Sequence, residues 1–307
     1  MKVLVTGGAG FIGSHIVDAY RGLGHEVVVL DNLSTGRASN VPPGVRLLRV
    51  DLRDAEGVRS ALAGERCEVL SHHAAQIDVR RSVADPAYDA SVNLVGFLHL
   101  IQAGLEAGLR KVIFASSGGA IYGEQERFPA DETHPTRPIS PYGIAKLATE
   151  HYLYYYRVVH GLDFISLRYA NVYGPRQNPE GEAGVVCIFT TRMLRNEQAL
   201  INGDGGQTRD YVYVGDVVRA NVLALDASGS DCFNVGTGVE TDVQTLFRAL
   251  RRLTGAAMEE RHAPAKQGEQ RRSLLDPAKL ERARGWRPSV TLEEGLRATV
   301  EHFRREL

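Results

Sequence analysis

The 307-residue sequence predicts an α/β fold: a doubly wound parallel sheet with a smaller second domain after it. Three observations carry the expectation. Short apolar runs alternate with segments whose apolar residues recur three and four apart. A glycine-rich turn follows the first of those runs, and from about Tyr169 the alternation gives way to stretches rich in Gly, Pro, Arg and Gln. The expected division is a cofactor domain over 1–169, taking in about 212–237 as well, and a substrate domain over 170–307.

In chain order, "KVLVTG" reads as a strand running into a turn and "FIGSHIVDAYRGLG" as an amphipathic helix. "EVVVLDN" and "VRLLRVD" read as further strands, then "LRDAEGVRSAL" as a helix and "CEVLSHHAA" as the next strand. "SVNLVGFLHLIQAGLEAGL" reads as one helix, "KVIFASS" as a strand, "YGIAKLATEHYLYYY" as a helix and "DFISLRYAN" as a strand. Beyond it, "GPRQNPEGEAG", "INGDGGQTRDY" and "RHAPAKQGEQRRS" read as loops of the substrate-holding half.

Composition bounds the partners. A 43% hydrophobic content supports a full core, and 36 Lys and Arg against 37 Asp and Glu give a formal net charge of −1. That balance favours small ligands over nucleic acid or an anionic membrane surface. Cys67, Cys187 and Cys232 lie far apart and lack metal-ligand spacing, so they are expected to be buried apolar residues in a reducing, cytoplasmic protein with no metal site. The opening "MKVLVTGG" lacks a secretory pattern, and no window approaches ~18 uninterrupted apolar residues.

In "TGGAGFIG", Gly7, Gly10 and Gly13 stand between the first strand and the first helix, where free N–H groups and the helix dipole favour a pyrophosphate. Asp31 ends the second strand, 18 residues after Gly13, where a carboxylate accepts from ribose hydroxyls and repels a 2′-phosphate. This predicts a Rossmann-type site for NAD rather than NADP, with nearby Arg37 weakening the preference slightly. Asp51 ends the third strand and either reaches the adenine amine or caps the helix that follows.

Tyr142 and Lys146 in "PYGIAK" are four apart on one helix face. A phenol with a pKa near ~10 is a poor base at neutral pH, and lowering it by ~3 units takes ~4 kcal/mol of preferential phenolate stabilisation. An adjacent ammonium and a cationic nicotinamide ring are the expected sources.

These motifs, together with "LDNLSTG", "SVNLVG", "SSGGAIYG", "LRYANVYGPR" and "GDGGQTRDYVYVGD", resemble the extended short-chain dehydrogenase/reductase superfamily. Within it they are most similar to the NAD-dependent nucleotide-sugar 4-epimerases that act on UDP-glucose and UDP-galactose. The resemblance runs nearly the whole chain, and it implies a homodimer whose helices around Asn93 and Tyr152–Tyr156 form a four-helix bundle. Four tyrosines there, Tyr152, Tyr154, Tyr155 and Tyr156, are also more aromatic surface than one buried stripe hides.

For NAD the resemblance implies Phe11 and Ile12 in the glycine turn; Asn32, Ser34 and Gly36 after Asp31; and Leu52 beside Asp51. It adds His73, Ala74, Ala75 and Gln76 after the fourth strand, Asn93 as support for the active-site backbone, and Ser116 and Tyr169. Tyr142 and Lys146 serve both cofactor and catalysis. In the family a Ser or Thr four residues before the Tyr of the "YG" pair bonds the C4 oxygen; here that position is Gly118, and Ser117 or a bound water takes the role. Alternatively Ser116 and Ser117 only finish the strand.

For the substrate it implies Ser117, Gly118, Gly119 and Tyr142 at the sugar, and Asn171 and Arg209 at the diphosphate; the alternative for Arg209 is a pair with Asp204 or Asp210. The family's second arginine motif is replaced by "KQGE", with Lys266 and Glu269 in its places and Arg271 and Arg272 as substitutes. Ser273 falls beside the sugar's C2 substituent, where a small residue leaves space for an N-acetyl group. Sugar dehydratases resembling this chain carry an Asp-Glu pair where Gly119 and Ala120 stand, so epimerisation through a 4-keto sugar is expected. The other readings are an epimerase for a uronic acid or N-acetyl sugar, a dehydrogenase or reductase of the same fold that releases its cofactor, and a non-catalytic NAD-binding scaffold.

Overall fold

The computed structural model describes residues 1–179, 184–265 and 270–307, in two compact units. The first comprises Met1–Gly123, Thr136–Arg168 and Val218–Phe233. Its chain runs β1 (Lys2–Thr6), α1 (Phe11–Gly22), β2 (Glu26–Leu30), β3 (Arg46–Leu48), α2 (Ala55–Leu62) and β4 (Val69–His72). Next come α3 (Val79–Ala84), α4 (Pro86–Ala90), a π-helical turn over Ser91–Val95, α5 (Gly96–Glu106), β5 (Lys111–Ser117), α6 (Gly118–Ile121), α7 (Pro141–His160) and β6 (Asp163–Tyr169).

All six expected strands form. With β10 (Asp231–Val235) they make a seven-stranded sheet in the order β10-β6-β5-β4-β1-β2-β3, in which β1 pairs in parallel with β2 and β4. The central residues of the strands, such as Val3, Leu4, Val28, Val29, Leu70, Val112, Ile113 and Ile165, are apolar and buried, as in a parallel sheet covered on both faces. Leu4, Leu70, Phe97, Leu100, Ile101, Val112 and Phe114 lie in one continuous core.

Local chemistry sets the helix ends. Asp54, Asp78 and Asp85 accept from backbone N–H groups at the starts of α2, α3 and α4, and Ser140 does the same for α7, with Pro141 at its first position. The segment read as one long helix is instead interrupted: a π-turn precedes α5 at the position of Asn93. Apolar spacing cannot distinguish i+4 from i+5 bonding over a single turn.

The second unit comprises Glu124–Pro135, Tyr169–Val217 and Asn234–Leu307. It holds β7 (Asn171–Tyr173), α8 (Val185–Leu194), β8 (Leu200–Asn202) and β9 (Thr208–Tyr213), after which α9 (Val214–Asp226) returns the chain to the first unit. After β10 follow β11 (Glu240–Asp242), α10 (Val243–Thr254), β12 (Arg261–Ala263), β13 (Arg272–Ser273), α11 (Ala278–Arg284) and α12 (Leu292–Glu306). The core joins Phe189, Leu246, Phe247, Leu250, Leu296 and Val300 from α8, α10 and α12.

Two stretches expected to be loops contain strands. "INGDGGQTRDY" supplies β8 and most of β9, and "RHAPAKQGEQRRS" supplies β12 and β13. Strands of two or three residues carry no alternation; only the pairing of β8 with β12, and of β13 with β9, defines them. Residues 124–135 join this unit through backbone bonds of Ala130 with Leu274 and Asp276, and through Gln125 Oε1, which accepts from Leu274 N at 2.9 Å.

Candidate active site

The first part of the site is the turn between β1 and α1. Gly7 has φ +67°, and a Cβ on it would lie 2.7 Å from Ala74 N, so only glycine lets the loop after β4 approach this closely. A Cβ on Gly13 would be driven into the Gly7 carbonyl oxygen. Gly10 caps α1 without a side-chain bond, and no acidic residue occupies the first turn. The helix start, with Phe11 and Ile12, therefore offers uncapped N–H groups and a positive dipole end, which fits a dinucleotide diphosphate.

Asp31, 8% exposed, accepts from Ala9 N at 3.1 Å and from Leu33 N at 2.9 Å, one backbone bond per oxygen. A carboxylate retains acceptor capacity beyond those two bonds, so a ribose diol fits here. Leu33 adopts φ +59°, and Asn32 Oδ1 accepts from Ser34 N at 3.0 Å. A Cβ on Gly36 would press on Ala9.

Asp51 differs from one expectation: the cap of α2 is Asp54, three residues on. Asp51 instead accepts from Asn32 Nδ2 at 3.0 Å and from the Arg53 Nε and Nη2 at 2.9 Å each, and this guanidinium holds its carboxyl well below the usual range. Leu52 beside it is buried under Gly96.

After β4, Thr6 Oγ1 accepts from His73 N at 3.2 Å and Ala74 N at 3.3 Å, fixing the chain past the strand end before Ala75. His73 bonds Ser71 Oγ at 2.9 Å, and desolvation, with the charge of Lys146, pushes its pKa down to about 3. Asn93 is buried and bonds both backbone groups of Gln76: Oδ1 accepts from its N at 2.8 Å and Nδ2 donates to its O at 2.9 Å.

Tyr142 and Lys146 lie one turn apart near the start of α7, with the Lys146 Nζ 5.7 Å from the Tyr142 ring centroid. Nζ donates to Ala115 O at 2.8 Å, and burial lowers the Lys146 pKa to about 8. Desolvation pushes Tyr142 up to about 12, against a hydrogen bond with Ser117 that lowers it. By itself the chain thus makes the phenol harder to ionise. Ser117 closes β5, Gly118 and Gly119 begin α6, and the buried Ser116 Oγ finds no hydrogen-bond partner among the described residues.

The second unit brings Asn171, Arg209 and Ser273 onto one sheet. Ser273 on β13 is in register with Arg209 on β9, and Asn171 on β7 with Tyr211, so cross-strand pairing puts all three on one face. Arg209 Nη1 donates to Thr208 O at 2.8 Å. Its two suggested partners bond elsewhere: Asp204 to Arg271 at 2.7 Å and Asp210 to Thr237. Arg271 is therefore ion-paired, Arg272 pairs with Glu240, Tyr169 is buried at the end of β6, and Lys266 and Glu269 lie outside the described residues.

Sequence reasoning missed a buried network behind the site. Arg168 on β6 makes a bidentate pair with Glu150 on α7, Nη2–Oε2 2.7 Å, and donates from Nη1 to Tyr122 OH at 3.0 Å. It also missed Asp89, one turn before Asn93 in "DASVN" and bonded to it; the i,i+4 spacing of the two polar residues was the available signal.

A model of the NAD dependent epimerase/dehydratase family matches residues 3–236. A UDP-glucose 4-epimerase of Mycolicibacterium smegmatis is 47% identical over 312 residues, covering 100% of this chain and 99% of that protein. Among solved structures, a UDP-glucose 4-epimerase of Thermotoga maritima with UDP-glucose superposes with a TM-score of 0.97 at 49% identity, covering 100% of this chain and 99% of that one. The UDP-glucose 4-epimerase of Thermus thermophilus in complex with NAD gives 0.95 at 51%, with 100% of each covered. Similarity at this level along the whole sequence means that the chain belongs to the NAD-dependent epimerase/dehydratase family.

Proposed function

We propose that this enzyme interconverts the C4 epimers of a nucleotide sugar, with UDP-glucose and UDP-galactose as the pair. The carrying observation is what surrounds the phenol: Ser117 bonds Tyr142, and the next four residues, Gly118 to Ile121, bring no acid or base. Loss of water across C5 and C6 needs such groups, whereas oxidation and re-reduction at C4 needs one proton carrier. Tyr142 takes the C4 hydroxyl proton and later returns it, Ser117 holds the C4 oxygen, and Lys146 stabilises the phenolate. The β1–α1 turn and Asp31 would hold NAD, which would supply the hydride acceptor and donor for C4 and a positive charge that lowers the phenol. Arg209 and Asn171 suit the diphosphate, the arginine fork being the better matched.

The test is proton NMR of UDP-galactose incubated with the NAD-loaded enzyme. Approach to a mixture of both epimers without net NADH is expected; a dehydrated product or accumulating NADH would overturn the reading. The size of Ser273 extends it to N-acetylated sugars, since an aromatic there would fill on the order of 100 Å³. Ser273→Tyr should then lower kcat/KM for UDP-N-acetylglucosamine relative to UDP-glucose at least ~10-fold; an unchanged ratio removes Ser273 as the gate.

We also infer a homodimer through α7. Ile144, Tyr152, Tyr154, Tyr155, Val158 and Val159 are exposed along it, Tyr154 and Val158 by about two thirds, and Val83 on α3 adds to the same unit's exposed apolar surface. A second copy, presenting the same face, covers it. No described helix is long and apolar enough to cross a membrane, and free cysteines suit a cytoplasmic setting.

A further inference from the structure

We propose that Asp89 is a positioning residue: through a buried cluster with Gln76 and Asn93 it fixes the loop after β4 and supplies the negative charge that balances the Lys146 ammonium. The proposal rests on the reading of Lys146 as the phenolate's partner.

Asp89 is 1% exposed. Its Oδ1 accepts from Gln76 Nε2 and Asn93 Nδ2, both at 2.9 Å, while Oδ2 finds no hydrogen-bond partner among the described residues. Gln76 is saturated: beyond its bonds with Asn93, its Oε1 accepts from Asp78 N at 2.7 Å and its Nε2 donates to Asp78 O at 2.8 Å. The loop that carries the candidate cofactor residues is thus pinned from α4 and from the π-turn, a local departure that clusters at functional sites.

An amide at position 89 would make the same two Oδ1 bonds without the cost of burying a charge with one oxygen unsatisfied. Hydrogen bonding alone therefore leaves the charge unexplained, and Lys146 explains it. The geometry brings Asp89 and Lys146 near: α4, which carries Asp89, and the π-turn both pack against α7, which carries Lys146 and, one turn on, Glu150. Burial acts against the Lys146 ammonium, and Asp89 and Glu150 act for it; burial likewise raises the Asp89 carboxyl, opposed by its bond from Gln76, by Lys146 and by Asn93. Glu150 is already engaged by Arg168 at 2.7 Å. The other groups around Lys146 supply no negative charge at neutral pH. His72 and His73 on β4 are held neutral by desolvation, Tyr142 is protonated, α6 carries no titratable residue, and Lys111 on β5 is bonded to Leu225 O and Ala227 O. On α3, Arg80 pairs with Asp78 and Arg81 stacks on Tyr88 of α4, while Asp85 caps α4. Asp89 is also felt at Tyr142, where it favours the protonated phenol.

Because the chain has only five lysines, Lys2, Lys111, Lys146, Lys266 and Lys279, carbon-13 lysine labelling isolates the Lys146 titration by NMR, with Lys146→Arg for assignment. In Asp89→Asn, which retains an oxygen acceptor but not the charge, the Lys146 midpoint should move to lower pH by about one unit. In the NAD-loaded enzyme both limbs of the kcat profile should move the same way, since Lys146 and Tyr142 each lose a proton more readily without the nearby anion. A folded Asn variant with an unmoved Lys146 midpoint overturns the proposal. If that variant does not fold, Lys146→Met in carboxyl-labelled protein gives the reciprocal reading: the Asp89 midpoint must rise by a similar amount, and an unchanged one overturns it. Neither NMR reading requires turnover, so a shifted midpoint in a protein that does not epimerise would refute the proposed reaction and leave the role of Asp89 standing.

Discussion

Tyr142 is pushed up to about 12 by the same burial that brings Lys146 down to about 8, so at neutral pH the lysine already carries its charge while the phenol needs the cofactor's positive charge to ionise. Tyr142→Phe should leave NAD bound and reduce turnover at least ~10²-fold, as for loss of a general acid–base group; normal turnover in a folded variant would sink the mechanism. Lys146 gives a stability prediction with a definite sign. Its folded pKa is about 8 against an ordinary 10.5, so below about 8 the folded protein must keep a charge that its interior disfavours. The penalty disappears as pH rises toward 10.5, because the unfolded chain then loses the proton as well. Lys146→Met should therefore stabilise NAD-free protein at pH 7, by on the order of 1–3 kcal/mol, with the gain fading toward pH 10. Thermal melts across that range check it, and a loss independent of pH would contradict it.

At the scale of elements, the β1–α1 turn and the α7–β6 contact are the two places where one substitution has a predictable cost. Gly13→Ala forces a methyl group toward the Gly7 carbonyl oxygen, so the turn must open. We expect NAD affinity to fall at least ~10-fold and stability by about 1–3 kcal/mol; calorimetry with unchanged affinity would show that the turn yields more cheaply. Arg168→Met leaves the buried Glu150 carboxylate without its partner and should cost about 3–5 kcal/mol, read as a lower denaturant midpoint. Strand positions were legible because β1 to β6 are each built on a short apolar run followed by turn residues. The ion pair was not, since Glu150 and Arg168 stand 18 residues apart on different elements and nothing in either segment names the other.

For the whole molecule, the chain enters each unit more than once: residues 124–135 and 218–233 cross over between longer segments. Exposed aromatic surface on α7 predicts assembly, and light scattering should give near twice 33.6 kDa at micromolar concentration. Tyr154→Glu with Val158→Asp should yield monomers, since two carboxylates cannot be buried unpaired across a two-fold contact. A monomeric wild-type protein would refute the assembly.

The sequence by itself determined the parallel sheet, the glycine turn with Asp31 at the next strand end, and the helical spacing of Tyr142 and Lys146. Each of these is written in a contiguous stretch, as apolar periodicity, as a residue that only one conformation allows, or as an i,i+4 pair. Only the tertiary structure decided that "INGDGGQTRDY" contributes strands, that Ser273 stands in register with Arg209, and that Asp89 closes on Gln76. Those outcomes depend on which distant segments pack together, and short polar segments carry no periodic signal of their eventual partners.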